Sequence, residues 1–267
     1  MTVLMAIGGN MQLTGRIMQE FYQRSGGAQA RVIIFPTASS RISGGEEYHN
    51  ALQELGICVP PEILPVRERS QAYAAALQEQ VKNASGIFFT GGDQVRLTMV
   101  LAGTPLLAAV WTAFERGVVV AGTSAGAAMM GQMMITGGRS GGGARGGSAR
   151  LAEGFGFIRQ VLIDQHFHQR NRLGRLMYAI ALQPHLLGVG VDEDTAAVFE
   201  NDEFQVIGTH AVSVLDGQDI LESNIDQAAT GKWLSISALR FHQLAPGCHF
   251  NLNTRTAVIN RSPLEAD

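Results

Sequence analysis

Four short apolar runs recur along the first half of the chain, at residues 3–7, 31–35, 85–89 and 117–121. Each is too short for a helix and apolar on both faces, as parallel strands are when helices cover them. Each ends in small or polar residues: Gly8-Gly9-Asn10, Pro36-Thr37-Ala38-Ser39-Ser40, Thr90-Gly91-Gly92-Asp93 and Gly122-Thr123-Ser124. Between them, residues 48–55, 71–83 and 105–116 predict helices. Strands alternating with helices predict an α/β fold with a doubly wound, mainly parallel central sheet. Such folds bind ligands at the carboxyl ends of their strands.

The pattern changes after His185. Residues 185–217 hold several short apolar runs broken at Asn201-Asp202 and Asp216-Gly217, which predict antiparallel hairpins extending the sheet. With no linker-like tract and no repeat of 20–50 residues, the chain reads as a single domain over 1–267. Residues 136–147, TGGRSGGGARGG, predict a mobile loop.

Composition narrows the class. Hydrophobic residues make up 46% and charged residues 16%, which excludes an intrinsically disordered chain. A net charge of −3 leaves no basic field to attract nucleic acid. No run approaches the ~18 apolar residues of a membrane span. The amino-terminal residues show no secretion signal, and two cysteines suit a reducing compartment, so a cytoplasmic location is expected. Gly is abundant, 32 of 267 residues, so many backbone positions need positive φ or close approach.

Gly122-Thr123-Ser124-Ala125-Gly126 matches G-x-S-x-G between a strand and an apolar run that predicts a helix. A nucleophile elbow needs that context, because a strained turn lifts the Ser hydroxyl above the sheet. The amide of Ala125 is one candidate oxyanion donor, and the turn at Gly91 and Gly92 supplies the other. A Ser nucleophile needs a base. His166 ends a short apolar run at 161–163 and reaches the rim of Ser124 if its strand is parallel to the others. His168 has the same strand parity and competes with it. Asp164, His166 and His168 alternate along the run, but no further metal-ligand motif accompanies them, so no metal or other cofactor is expected.

The third member of a triad is open on spacing alone, since triads follow geometry and not chain order. Asp164 lies about 7 Å from His166 along an extended strand, a long reach for a hydrogen bond. Asp192, Glu193 and Asp194 follow later. Glu153, placed after the glycine loop, can fold back and is carried forward as the third member. Arg170, Arg172 and Arg175 open an amphipathic run whose Leu173, Leu176, Met177 and Ile180 form a buried stripe. Beside an active site, such Arg forks suit carboxylates.

At these residues the chain resembles the cyanophycinase family of Ser-type exopeptidases, related to aspartyl dipeptidase (peptidase E). The matching blocks are Gly91-Gly92-Asp93-Gln94, Gly122 to Ala127, Asp164-Gln165-His166-Phe167 with Arg170, Arg172 and Arg175, and Gly190 to Ala196. The resemblance implies a three-layer α/β/α sandwich akin to class I glutamine amidotransferases, and a homodimer. It implies hydrolysis of cyanophycin, a poly-aspartate backbone carrying arginine, to β-Asp-Arg dipeptides, with Ser124 as nucleophile and His166 as base. It places Gln94, Asp164, Gln165, Arg170, Arg172, Arg175 and the loop residue Ser140 in the substrate pocket. One feature departs from the family: the loop at 136–147 carries no Asp or Glu, so the triad acid is replaced, moved to Glu153, or absent. The alternatives are an α- or iso-aspartyl dipeptidase on the same scaffold and a non-catalytic peptide binder.

Overall fold

The computed structural model describes residues 1–41 and 43–261. Along the chain lie strands β1 (Val3–Ile7), β2 (Val32–Phe35), β3 (Glu62–Ile63), β4 (Gly86–Phe89), β5 (Val119–Thr123), β6 (Met133–Gly138), β7 (Ala149–Glu153) and β8 (Val161–Gln165). They continue as β9 (Leu187–Val191), β10 (Thr195–Glu200), β11 (Glu203–Gly208), β12 (Val212–Asp216), β13 (Glu222–Ser223), β14 (Ile236–Ser237), β15 (Arg240–Leu244), β16 (His249–Asn251) and β17 (Thr256–Val258). The helices are α1 (Arg16–Arg24), α2 (Glu46–Glu54), α3 (Ala75–Lys82), α4 (Gln94–Leu101), α5 (Pro105–Glu115), α6 (Ala125–Ala128) and α7 (Leu173–Leu182).

Nine strands form the central sheet, in the order β17-β16-β11-β10-β1-β5-β4-β2-β3. From β1 to β3 every pairing is parallel, as the buried apolar runs predict. On the other side of β1 every pairing is antiparallel. The expected hairpin extension is therefore real: it is β10 and β11, paired from Thr195 opposite Gly208 to Glu200 opposite Glu203. Strand β1 is the seam between the two halves.

Part of the sequence reading needs correction. Strands β9 and β12 do not extend the central sheet, and β8 does not join it. With β15 they form a second sheet, β15-β12-β9-β8, in which β8 and β9 run parallel. The physical reason is that β8 and β9 are apolar on both faces, and such a strand fits either sheet. Val161 and Ile163 face the central sheet, while Leu162 packs with Leu176 and Ile180 of α7. Helices α1 and α2 cover the far face of the central sheet through Ile17, Met18, Phe21 and Leu52. Helices α3 to α5 share the near face with the second sheet, and α7 lies behind that sheet. Each large side chain so buried contributes roughly 1.5–3 kcal/mol.

Two local expectations also change. Helix α6 is a single turn, ending at Ala128, so any help it gives an oxyanion comes from its first amide and hardly from a macrodipole. The glycine-rich loop is not loose. Gly141 N–H donates to Asn171 O, Gly146 N–H to Lys232 O, and Leu234 N–H to Ala144 O. The Arg145 guanidinium lies 3.6 Å from the Trp233 ring centroid and donates to Gly231 O at 3.0 Å. A Cβ on Gly174 of α7 would fall 2.7 Å from the Gly143 carbonyl carbon. Gly143 and Gly146 are packed too closely for a Cβ, against the Trp233 ring at 2.5 Å and Ala228 O at 2.0 Å, while Gly141 and Gly142 supply the positive φ of an open turn.

Candidate active site

Ser124 follows β5 with φ 53° and ψ −109°, a conformation that L-residues rarely adopt. The flanking glycines make that bend possible. A Cβ on Gly122 would meet Gly126 O at 2.3 Å, and one on Gly126 would meet Phe89 O at 2.4 Å. The sharp strand–turn–helix expected from G-x-S-x-G is present, and it lifts the hydroxyl off the sheet.

The Ser124 hydroxyl lies 2.8 Å from His166 Nε2. His166 Nδ1 lies 2.6 Å from Glu193 Oε1, so a hydroxyl, an imidazole and a carboxylate stand in line. Asn10 Nδ2 donates to the other Glu193 oxygen at 3.0 Å. The expected pair of Ser124 and His166 is brought together. The expected third member is not. Glu153 ends β7 opposite Met133, exposed on the hairpin with β6, and that pairing prevents it from folding back. The carboxylate on His166 is Glu193, which comes from the turn between the two sheets, so the acid-free glycine loop leaves no gap.

One short stretch of backbone fixes all three positions. At the end of β1 and just past it, the carbonyls of Ile7, Gly8 and Gly9 accept from the amides of Ser124 (2.9 Å), His166 (2.8 Å) and Asp194 (2.9 Å) respectively. Only glycine fits at the last two positions. A Cβ on Gly8 would fall 1.9 Å from Asp192 O, and one on Gly9 would fall 2.3 Å from the imidazole Cε1. The acids at 192–194 then divide their work. Asp192 accepts the backbone and ring N–H of His168 at 2.9 Å. Glu193 takes His166. Asp194 accepts from Gln12 N–H at 2.9 Å and Thr209 Oγ1 at 2.6 Å. His168, the competing base, is thereby committed to Asp192.

The residues expected to line a substrate pocket separate into two groups. Arg170 is exposed and lines a cleft of about 550 Å³ with His166, Glu193, Asn10 and Tyr48. Asp164, Gln165, Arg172 and Arg175 are buried, and both guanidiniums turn inward onto the Asp164 carboxylate. Arg175 grips both Asp164 oxygens, with Nε to Oδ2 at 2.6 Å, while Arg172 contacts Asp164 Oδ1 at 3.3 Å and the Gln165 side chain. Asp164 faces α7 with Leu162 because alternate strand residues share a side. Sequence spacing showed the Arg forks but not that their carboxylate is internal. This buried cluster braces the loop from His166 to Arg172. Gln94 begins α4 and donates to Ile135 O at 2.7 Å, and Ser140 is exposed in the tethered glycine loop.

The turn expected to supply one oxyanion donor lies beside Ser124, and Ala125, the other expected donor, opens α6 directly after it. The backbone at Gly91 passes so close that a Cβ there would sit 3.4 Å from Ser124 Cβ. Gly92, at φ 143°, is held against Ala38, where a Cβ would meet the carbonyl oxygen at 2.2 Å.

Burial lowers the pKa of His166 below its ordinary 6.5; Glu193 opposes that, while Arg170 and Arg172 add to it. Burial alone would raise the Glu193 carboxyl, but its hydrogen bonds from His166 and Asn10 prevail and hold it below 4.5. Burial likewise brings Arg172 down to about 10, against the pull of Asp164. A lowered imidazole pKa keeps the neutral, proton-accepting ring populated at more acidic pH. The acid limb of kcat/KM is therefore expected below pH 6.5, and Arg170→Gln moves it upward. An NMR titration of the His166 ring checks the same shift, and a midpoint above 6.5 would contradict it.

Comparisons with known proteins identify the family. The family described as Peptidase family S51 matches residues 3–207. A cyanophycinase from Trichormus variabilis is 40% identical over 263 residues, covering 96% of this chain and 88% of its own. A cyanophycinase from Geminocystis herdmanii is 40% identical over 257 residues, covering 95% and 94%. Among solved structures, a peptidase from an acI-B1 Actinobacterium superposes with a TM-score of 0.69 at 23% identity, over 94% of this chain and 96% of that one. That likeness speaks to the fold. With a family match over most of its length and relatives at 40% identity, the chain belongs to peptidase family S51 and is a serine-type peptidase.

Proposed function

We propose that the protein is an exopeptidase that hydrolyses cyanophycin to β-Asp-Arg dipeptides, with Ser124 as nucleophile, His166 as general base and acid, and Glu193 as the orienting carboxylate. The observation that carries this reading is the unbroken relay of 2.8 Å and 2.6 Å contacts from hydroxyl to carboxylate. Ser124 Oγ attacks the scissile carbonyl as its proton passes to His166 Nε2. Glu193 holds the proton-bearing Nδ1 toward itself and stabilises the imidazolium that forms. The amides of Gly92 and Ala125 donate to the carbonyl oxygen as it gains negative charge. Collapse breaks the C–N bond, and the leaving amine takes the proton from His166. Water, activated by the same ring, then attacks the acyl-serine and releases the acid and the free hydroxyl.

The charge of the cleft suits this substrate. Arg170, exposed beside His166, is placed for the free carboxylates of an arginyl-aspartate unit. The buried Asp164, Arg172 and Arg175 keep its loop in position. The relatives' printed name, cyanophycinase, supports the same substrate. A binding-only role is not favoured, because such a role has no use for a hydroxyl–imidazole–carboxylate line. Purified protein incubated with insoluble cyanophycin is expected to release soluble β-Asp-Arg, followed by mass spectrometry. Release from short α-linked aspartyl peptides with the polymer left intact would instead make it a dipeptidase.

A further inference from the structure

The backbone of Glu193 is fixed on both sides. Its amide donates to Gln169 Oε1 at 3.1 Å, and its carbonyl accepts from Thr195 Oγ1 at 3.1 Å. The carboxylate is less constrained: it is half-buried, stands on a side chain with several rotatable bonds, and has two equivalent oxygens. Oε1 meets His166 Nδ1. A rival partner stands close by. Arg170 follows His166 by one turn, its amide donating to His166 O at 3.1 Å. It lines the same cleft as Glu193, and its guanidinium has no ion-pair partner among the described residues. An Arg fork can take both oxygens of a carboxylate at once. Were Glu193 to turn to it, the imidazole would lose its orienting partner and the cleft would lose its exposed cation.

Asn10 holds the remaining oxygen, with Nδ2 donating to Glu193 Oε2 at 3.0 Å. Its φ of 45° is in the left-handed region, which Asn enters more readily than other side-chain-bearing residues. That bend carries the chain on to Gln12, whose amide reaches Asp194 Oδ1 at 2.9 Å. With Gly9 O on the Asp194 amide, the turn at 9–12 grips the turn at 193–194 through three contacts. Of these, only the one from Asn10 touches the carboxylate of the relay. An amide donates a hydrogen bond without bringing a charge, so it restrains Glu193 without neutralising it.

We propose that Asn10 is a positioning residue: by holding Oε2 it keeps Glu193 turned to His166 and leaves Arg170 free for a substrate carboxylate. The proposal rests on the relay described above and adds what decides between the two partners open to Glu193. The other charged groups that bear on the pair are Arg170 and Arg172 beside His166, and Glu47 with the titratable Tyr48 from α2 across the cleft.

Asn10→Gly tests the amide alone, because Gly adopts positive φ freely and adds no backbone strain. The readout is the rate at which a serine-directed phosphonate lacking a carboxylate labels Ser124, measured across pH. Labelling needs no peptide, so its outcome is independent of which peptide is the substrate. Asn10→Gly is expected to slow labelling about tenfold, well short of the ~10⁴-fold that loss of a triad carboxylate brings. Its acid limb is expected to move to lower pH, since the lost Glu193 hydrogen bond to His166 outweighs the Arg170 charge that Glu193 then neutralises. In an Arg170→Gln background the rival is gone, and the same Asn10→Gly change is expected to cost no more than about twofold. An unchanged rate, an equal loss in both backgrounds, or an acid limb that stays or rises would each overturn the role. Should Asn10→Gly melt well below the wild type, Asn10→Asp keeps the shape and the bend but turns the donor into a like charge. It is expected to slow labelling at least tenfold, and labelling at the wild-type rate would again overturn the role. Wild-type protein that resists the reagent altogether sinks the relay and the role of Asn10 with it. The expected labelling pattern with cyanophycin left intact sinks the substrate reading alone.

Discussion

Ser124→Ala abolishes release of β-Asp-Arg from cyanophycin, with kcat falling on the order of 10⁶-fold, the scale seen when the nucleophile of a serine hydrolase is removed. The fold should not notice. The Ser124 hydroxyl makes one hydrogen bond, to His166, while its backbone amide stays on Ile7 O and its carbonyl still accepts from Ala127 and Ala128. Thermal melting of the variant is expected to match the wild type, so a lost rate reads as lost chemistry. A serine-directed phosphonate gives a second readout: one adduct per chain on the wild type and none on the variant. A variant that keeps its turnover would remove Ser124 from the mechanism.

Glu193→Gln is expected to lower kcat by about 10⁴-fold, the effect of replacing a triad carboxylate by its amide. The amide keeps the shape but can present an N–H to His166 Nδ1, which favours the wrong tautomer for a base at Nε2. The pH profile carries a separate signature. Glu193 raises the pKa of His166 while burial lowers it. Removing the carboxylate leaves the lowering causes unopposed, so the residual activity should hold to lower pH than in the wild type. Glu153→Gln is the matched control. That residue is exposed at the end of β7, and its replacement is expected to change kcat less than about twofold. A large loss at Glu153 with little at Glu193 would reverse the assignment of the acid.

The parallel half of the fold was legible because its strands announce themselves twice, in apolar runs and in the small residues that end them. Ser124 was legible for the same reason: its turn demands glycines at fixed spacing, and spacing is what a sequence displays. His166 could be picked out, but the sheet that carries it could not. Apolar positions on both faces of β8 say that it is buried, not what it is buried against. Glu193 was one of several acids, and its selection depends on Ile7, Gly8 and Gly9 drawing three distant segments together. Nothing in the local pattern encodes that convergence, although Gly8-Gly9 was visible as an unusual pair. The Arg forks were read as facing a ligand because charge at a helix start is conspicuous. That Asp164 turns inward to meet them depends on which face of β8 meets α7, a tertiary fact.

The end of β1 has a consequence for how the enzyme comes into being. Its three carbonyls are synthesised first, yet their partners emerge far later, Asp194 last of all. Until that final amide arrives, Glu193 has no fixed place and the imidazole lacks its counter-charge. A growing chain thus carries an inert serine even when the parallel strands have already assembled. Full activation of Ser124 therefore waits on segments from both sheets, and a molecule that loses either loses the alignment of its relay.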